Sequence, residues 1–226
     1  MKSLIIGNGE VGSALLEVLK PYYTVIISDK HETPLAENVE IIHVCFSYSE
    51  EFVEEVRRYQ VLYNPKYTVI HSTAPVGTSK KCQAIHSPII GIHPFLAESI
   101  KTFVKMLSGE KAGEVADYFK KAGLRVYLFD KPETTELLKP YDTLYYGLCI
   151  ELHKDIKRAC KKSGVPFEAW TVYNNIYNEG YAKLGYPEYV RPNLSPQMQR
   201  IGGHCILPNL EFLKSKFAKF IKKLNK

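Results

Sequence analysis

Residues 7–12 read Gly-Asn-Gly-Glu-Val-Gly, and no other stretch constrains the fold as tightly. The short apolar run before it, residues 3–6, has the character of a buried parallel strand. A helical pattern follows through Leu15, Leu16 and Leu19 and stops at Pro21. In a strand–turn–helix of this kind Gly7 permits the tight turn, Gly9 lets the backbone approach a pyrophosphate, and Gly12 lets helix and strand pack closely. The pyrophosphate would sit on the free N–H groups at the positive end of the helix. Gly7, Asn8, Gly9, Glu10, Val11 and Gly12 are therefore candidate cofactor-binding residues. A second strand, residues 24–28, leads to Asp29, an acidic residue placed to accept hydrogen bonds from an adenosine ribose and to repel a 2′-phosphate. The pattern predicts a dinucleotide site that prefers NAD over NADP, although Lys30 and His31 are near enough in sequence to meet a phosphate. The alternative is a glycine-rich turn in an unrelated α/β domain.

A chain of 226 residues, 45% hydrophobic and 24% charged, makes one large domain or two small ones with a real core. No apolar run approaches a membrane span. The first strand begins so early that no room is left for a signal or transit peptide, and a cytoplasmic protein is expected. The formal charge of +6 owes much to Lys214, Lys216, Lys219, Lys222, Lys223 and Lys226. Leu210, Leu213, Phe217, Phe220, Ile221 and Leu224 recur there at helical spacing. The tail reads as an amphipathic helix docked on the body, the alternative being a surface for acidic lipid or nucleic acid. No nucleic-acid motif accompanies it, so neither nucleic acid nor membrane is expected as a partner. The five cysteines form no C-x-x-C pair and no zinc spacing, so no metal site is expected and a reducing compartment is implied.

Residues 39–46 read as a third parallel strand, 50–61 as an amphipathic helix and 67–71 as a fourth strand. The loop Ser72-Thr73-Ala74-Pro75-Val76-Gly77-Thr78 then lies at a strand's carboxyl end, where open parallel sheets bind ligands. Ser72 and Thr73 are candidates to position a nicotinamide or substrate; an ordinary turn with Thr78 as helix N-cap is the alternative. A short strand at residues 89–92 leads to His93, either an acid/base group facing the cleft or a histidine satisfied within its loop. Segments 98–107 and 111–122 precede a last strand at 124–129. This alternation predicts a Rossmann-type doubly wound parallel sheet over residues 1–131. From 132 to 226 the chain is mostly helical, with helices over 133–164 and 167–178 and a long loop, rich in proline and glycine, over 185–208.

Several motifs, in order along residues 1–210, resemble the nucleotide-sugar dehydrogenases of the UDP-glucose/GDP-mannose type, within the wider 6-phosphogluconate-dehydrogenase-like group. Residues 72–78 are similar to that family's S-T-V-P-x-G-T loop. Thr135-Glu136-Leu137-Leu138-Lys139 resembles its T/A-E-x-x-K helix, and Gly202-Gly203-His204-Cys205-Ile206 its G-G-H-C-I segment. The resemblance implies NAD-dependent oxidation of an alcohol. Lys139 would then be the acid/base or the cation facing a developing alkoxide, and Cys205 the nucleophile that attacks the aldehyde for a second hydride transfer. Thr73 and Glu136 would contact substrate or nicotinamide. It also implies a homodimer built on the long helix after residue 133.

The departures matter as much. Thr143 stands where the family has Asn, Ile150-Glu151 where it has Asn-Glu, and Asn209 where it has the Asp that follows the cysteine. Asn209 donates hydrogen bonds but is no base, which weakens a two-step oxidation without touching hydride transfer. The chain also ends where the family begins a second nucleotide-holding domain. The expected partner is a small-molecule substrate, sugar-derived or otherwise small and polar, with a nucleotide sugar or a sugar acid among the candidates. A hydroxy-acid or prephenate-like dehydrogenase relying on His93 and Lys139, or a non-catalytic dinucleotide-binding module, are the alternatives. A buried structural thiol at Cys205 and a solvated helix lysine at 139 remain the plainer readings of those residues.

Overall fold

The central strands of the sheet have side chains buried on both faces. In the computed structural model, which describes residues 1–195, 198–202 and 206–225, the chain opens with β1 (Lys2–Ile6), α1 (Glu10–Leu19), β2 (Thr24–Ser28), β3 (Ile41–Val44) and α2 (Phe52–Tyr63). It continues with β4 (Tyr67–Ile70), α3 (Thr78–Lys81), β5 (Ile85–His86), α4 (Leu96–Thr102), β6 (Lys105–Ser108), α5 (Ala112–Lys121) and β7 (Val126–Phe129). Then come α6 (Pro132–Lys162), α7 (Glu168–Lys183), a 3-10 turn (Pro187–Tyr189), α8 (Ile206–Leu210) and α9 (Lys216–Leu224). The chain divides into two units, Met1–Lys139 and Pro140–Lys226, with the boundary inside α6.

In the first unit the strand order is β2-β1-β3-β4-β5-β6-β7. Neighbours are parallel except β5 and β6, which meet antiparallel through the single pair His86↔Ser108. Alternate residues serve opposite faces. Ile5, Ile41 and Val69 pack with α1, α4 and α5, whereas Leu4, Ile6, Ile42 and Val44 pack with Phe52, Val56 and Tyr59 of α2. Two-sided burial explains why these strands read as unbroken apolar runs.

Several expectations are corrected. Residues 89–92 form no strand; the fifth strand is Ile85–His86, and Pro88, which has no N–H to offer a ladder, stands just beyond it. The strand Lys105–Ser108 was hidden inside the segment 98–107, because it opens with a lysine that is nonetheless buried. Gly77, not Thr78, is the N-cap of α3, at φ 93°, and Thr78 Oγ1 donates back to the Pro75 carbonyl at 2.7 Å. The loop expected over 185–208 contains a 3-10 turn and ends where α8 begins.

In the second unit Leu144, Ile201, Ile206, Leu210, Ala218 and Ile221 form a small core. The basic tail is not one helix: Ser215 starts α9 afresh, its side chain accepting from the Phe217 N–H at 3.2 Å. Among the described residues no helix is long and apolar enough to cross a membrane.

Candidate active site

The order β2-β1-β3 makes the carboxyl end of β1 the switch point from which the chain runs outward in both directions, the place where such sheets open a crevice for a ligand. The glycine loop sits there. Gly7 has φ 107°, and a Cβ on it would lie 2.7 Å from the Phe46 nitrogen and 2.8 Å from the Cys45 carbonyl carbon. The residue must be glycine because the loop runs against the end of β3 as well as because it turns. At Gly12 an added Cβ would overlap the Gly7 carbonyl oxygen, so α1 packs on β1 through bare backbone. Gly9 differs: a Cβ there meets nothing within 4 Å. It is also the N-cap of α1 and provides no side-chain hydrogen bond to the helix. An open cradle over a helix N-terminus is what a pyrophosphate requires, so the residues present fit a dinucleotide.

Around the loop, Asn8 Oδ1 accepts from Ser13 Oγ at 3.3 Å, and Val11 is half-buried. Glu10 in the first turn of α1 pairs with His93 Nδ1 at 2.7 Å, which brings His93 to the rim of the glycine loop. At the end of β2 the Asp29 carboxylate is exposed and accepts from the Lys30 N–H at 2.8 Å. Glu32, which sequence reasoning passed over, folds back to accept from the Asp29 N–H and from Ser28 Oγ, both at 3.0 Å. Two carboxylates thus stand where the ribose is expected. Lys30 Nζ lies over the Phe46 ring, 5.6 Å from its centre.

The loop after β4 is fastened at several points. Ser72 Oγ donates to the Phe46 carbonyl, tying the loop to β3. Thr73 beside it is half-buried. Glu136 on α6 is buried, and its two oxygens accept from the Gly77 and Ser79 N–H groups, each at 2.6 Å. Burial pushes this carboxyl up from its usual range, and the bonds from Ser79 and Gly77 oppose that shift. With both oxygens engaged by backbone, Glu136 holds the loop against the start of α6. His86 adds a second clasp, with Nε2 3.2 Å from the Ser72 carbonyl and Nδ1 2.7 Å from Thr135 Oγ1. Burial lowers its pKa to about 4, so the ring is neutral near pH 7. A carbonyl only accepts, so Nε2 carries the hydrogen and Nδ1 accepts from Thr135. His86 had no spacing signal, and Thr135, although it opens the 135–139 motif, gave no sign of this partner; only the sheet order brings His86 to the loop.

Lys139, half-buried, follows Glu136 by almost one helical turn. Asn209 is buried on α8 in the second unit, and Cys205 lies outside the described residues. Among the described residues no group of three or more His, Cys, Asp or Glu side chains is arranged to hold a metal ion.

Several solved structures that share this architecture are dehydrogenases. The chain superposes on the UDP-D-ManNAc dehydrogenase of Pyrococcus horikoshii with a TM-score of 0.78 at 13% identity, covering 100% of this chain and 68% of that one. For the UDP-glucose dehydrogenase of Pyrobaculum islandicum the values are 0.73 and 12%, covering 99% and 67%. For the 3-hydroxyisobutyrate dehydrogenase of Mycobacterium tuberculosis they are 0.72 and 10%, covering 99% and 92%. No protein-family model matches the chain, and no curated protein does. The chain therefore has the Rossmann-type fold that these dehydrogenases share: a mostly parallel sheet followed by helices.

Proposed function

We propose that the chain is an NAD-dependent dehydrogenase of the 6-phosphogluconate-dehydrogenase-like group that oxidises an alcohol carbon of a sugar-derived or small polar substrate. The observation that carries this reading is the open cradle at Gly9, set over the α1 N-terminus at the switch point of the sheet. Gly7, Asn8, Gly9, Glu10, Val11 and Gly12 would hold the pyrophosphate. Asp29 and Glu32 would take the ribose hydroxyls and repel a 2′-phosphate, which favours NAD over NADP. Ser72 and Thr73 would border the nicotinamide. When bound, the dinucleotide supplies the acceptor for the hydride of the substrate's C–H bond.

The chain's own residues handle the proton. Lys139 takes the hydroxyl proton or faces the developing alkoxide with its charge. Where an aldehyde is formed, Cys205 as thiolate attacks it, and Asn209 orients without acting as a base. A nucleotide sugar or a sugar acid is the substrate class that matches the motifs.

His93, held at 2.7 Å from Glu10, favours a second reading as a hydroxy-acid or prephenate-like dehydrogenase in which His93 acts with Lys139 and Cys205 does not. Cys205→Ser separates the two, because it should abolish only an acid-forming step. A non-catalytic dinucleotide-binding module is a third reading; loss of turnover in Lys139→Ala with cofactor binding intact would count against it.

The active form is a homodimer, supported by apolar side chains left uncovered on α6 and α7, among them Tyr145, Leu152, Tyr173 and Ile176. A cytoplasmic setting accords with the unpaired thiols Cys45, Cys82, Cys149 and Cys160. Titration with NADH and NADPH, followed through the single tryptophan, Trp170, and by calorimetry, tests the proposal. Micromolar NADH binding with much weaker NADPH binding is expected. Binding of neither would overturn it.

A further inference from the structure

Beneath α5, on the face of the sheet that carries α1 and α4, a row of polar side chains is buried where apolar ones would be expected. Ser3 Oγ lies 2.8 Å from Tyr118 Oη, which lies 3.2 Å from His43 Nε2. His43 Nδ1 is 3.0 Å from His71 Nε2. His71 Nδ1 is 2.9 Å from the Ser87 carbonyl and 3.1 Å from Lys105 Nζ, which itself donates to that carbonyl at 3.0 Å. Ser3, His43, His71, Ser87, Lys105 and Tyr118 are all buried; Ser3 is on β1, His43 on β3, Lys105 on β6 and Tyr118 on α5, while His71 and Ser87 directly follow β4 and β5.

A neutral imidazole carries one hydrogen, so each ring in this row donates on one side and accepts on the other. Two complete orientations follow. In one, Lys105 donates to His71 Nδ1, His71 Nε2–H to His43 Nδ1, His43 Nε2–H to Tyr118, and Tyr118 to Ser3. In the other every donor is reversed: Ser3 to Tyr118, Tyr118 to His43 Nε2, His43 Nδ1–H to His71 Nε2, and His71 Nδ1–H to the Ser87 carbonyl. An ammonium has three hydrogens and no lone pair, so a charged Lys105 collides, donor against donor, with a hydrogen on His71 Nδ1. The first orientation is then the one allowed. A neutral amine has a lone pair to turn towards that hydrogen, and the second becomes available.

We propose that the proton on Lys105 sets the direction of the buried chain Lys105–His71–His43–Tyr118–Ser3, so that one protonation at β6 fixes donors and acceptors across the sheet as far as β1. Burial brings Lys105 to a pKa of about 7 and lowers His43 to about 3, with His71 also well below its usual range. The lysine therefore titrates near neutrality while the two rings stay neutral. The other titratable groups around it are Cys45 just after β3, whose thiol burial raises to about 12, and His86 on β5; the Phe119 ring of α5 lies 5.7 Å from Nζ. The switch abuts the candidate site, since His71 immediately precedes Ser72 and Ser87 follows His86, which grips the Ser72 carbonyl.

Ring-nitrogen NMR of uniformly 15N-labelled protein tests this. At about pH 6 the hydrogens of His43 and His71 should both reside on Nε2, and by about pH 9 both should move together to Nδ1. In Lys105→Met the carbonyl of Ser87 is the remaining partner of His71 Nδ1, so both rings should show Nδ1–H already at the lower pH. Tautomers that do not change with pH in the wild type, or that change at one ring alone, would overturn the proposal. Retention of Nε2–H in Lys105→Met would do so too. If that variant does not fold, the wild-type titration decides by itself.

Discussion

The strands of the first unit and the helix α7 of the second are buried to very different degrees. In Met1–Lys139 the strand residues Leu4, Ile5, Ile6, Ile41, Ile42 and Ile70 are wholly buried, and even the polar row under α5 is bonded end to end. In Pro140–Lys226 the sixteen-residue α7 buries Asn174 alone, and Val172, Tyr173 and Ile176 are each more than half exposed. Buried side-chain atoms without a hydrogen-bond partner occur in both units, Ser49 Oγ and Ser79 Oγ in the first and His153 Nε2, Trp170 Nε1 and Asn174 Oδ1 in the second. The uncovered apolar side chains of α7 accord with the dimer proposed above, because exposed apolar patches of this kind mark interfaces.

Truncation in the first unit should be the most damaging test of that contrast. Phe52→Ala, at a side chain with no exposure, should cost about 3–5 kcal/mol in urea unfolding, whereas Tyr173→Ala should cost under about 0.5 kcal/mol and instead weaken the proposed dimer in sedimentation. Equal costs at the two positions would dissolve the contrast.

Acid should act next, and through the first unit. His43 and His86 titrate at about 3 and about 4 when folded against 6.5 unfolded, and His71 is shifted the same way. A base held neutral by burial lends its stability above the unfolded pKa and loses it as pH falls towards the folded value. Unfolding free energy should therefore decline from about pH 6.5 to about pH 4, by roughly 3 kcal/mol or more in all. Lys105 has the same sign in a higher window: stability should rise from about pH 7 towards the unfolded value of 10.5. A flat urea midpoint between about pH 4 and 9 would contradict both.

Glu136→Gln should destabilise by about 1–3 kcal/mol, because an amide turns a donor towards one of the two N–H groups that the carboxylate now accepts from. The smallest effect on stability is expected at Gly9→Ala. The site has open space and an ordinary φ of −82°, so the melting temperature should hold while NADH affinity falls at least about tenfold. Gly12→Ala, which crowds the Gly7 carbonyl, should lose both.

The sequence made the first two strands and the glycine loop legible because strand, turn and helix there are local. It exposed much less of the far side of the sheet. A two-residue strand at Ile85–His86 has no period to read, and Lys105–Ser108 begins with a residue that ordinarily signals solvent. Asp29 was readable from its distance to the loop. Glu32 was not, because its place depends on a turn whose His31 adopts φ 78° and donates its N–H to Tyr59 Oη, a partner 28 residues away. The motif at 135–139 was visible as a pattern, yet its glutamate and threonine grip the loop and His86, an arrangement that only the sheet order creates.

The clasp between Glu136 and the loop also has a meaning in time. Gly77 and Ser79 leave the ribosome long before the carboxylate that will hold them, separated from it by 59 and 57 residues. A nascent chain that already has all seven strands still lacks the group that fixes the loop beside its glycine cradle. Those two amides thus wait on the first turns of α6, and a fragment ended at residue 131 would leave them without the carboxylate that answers them.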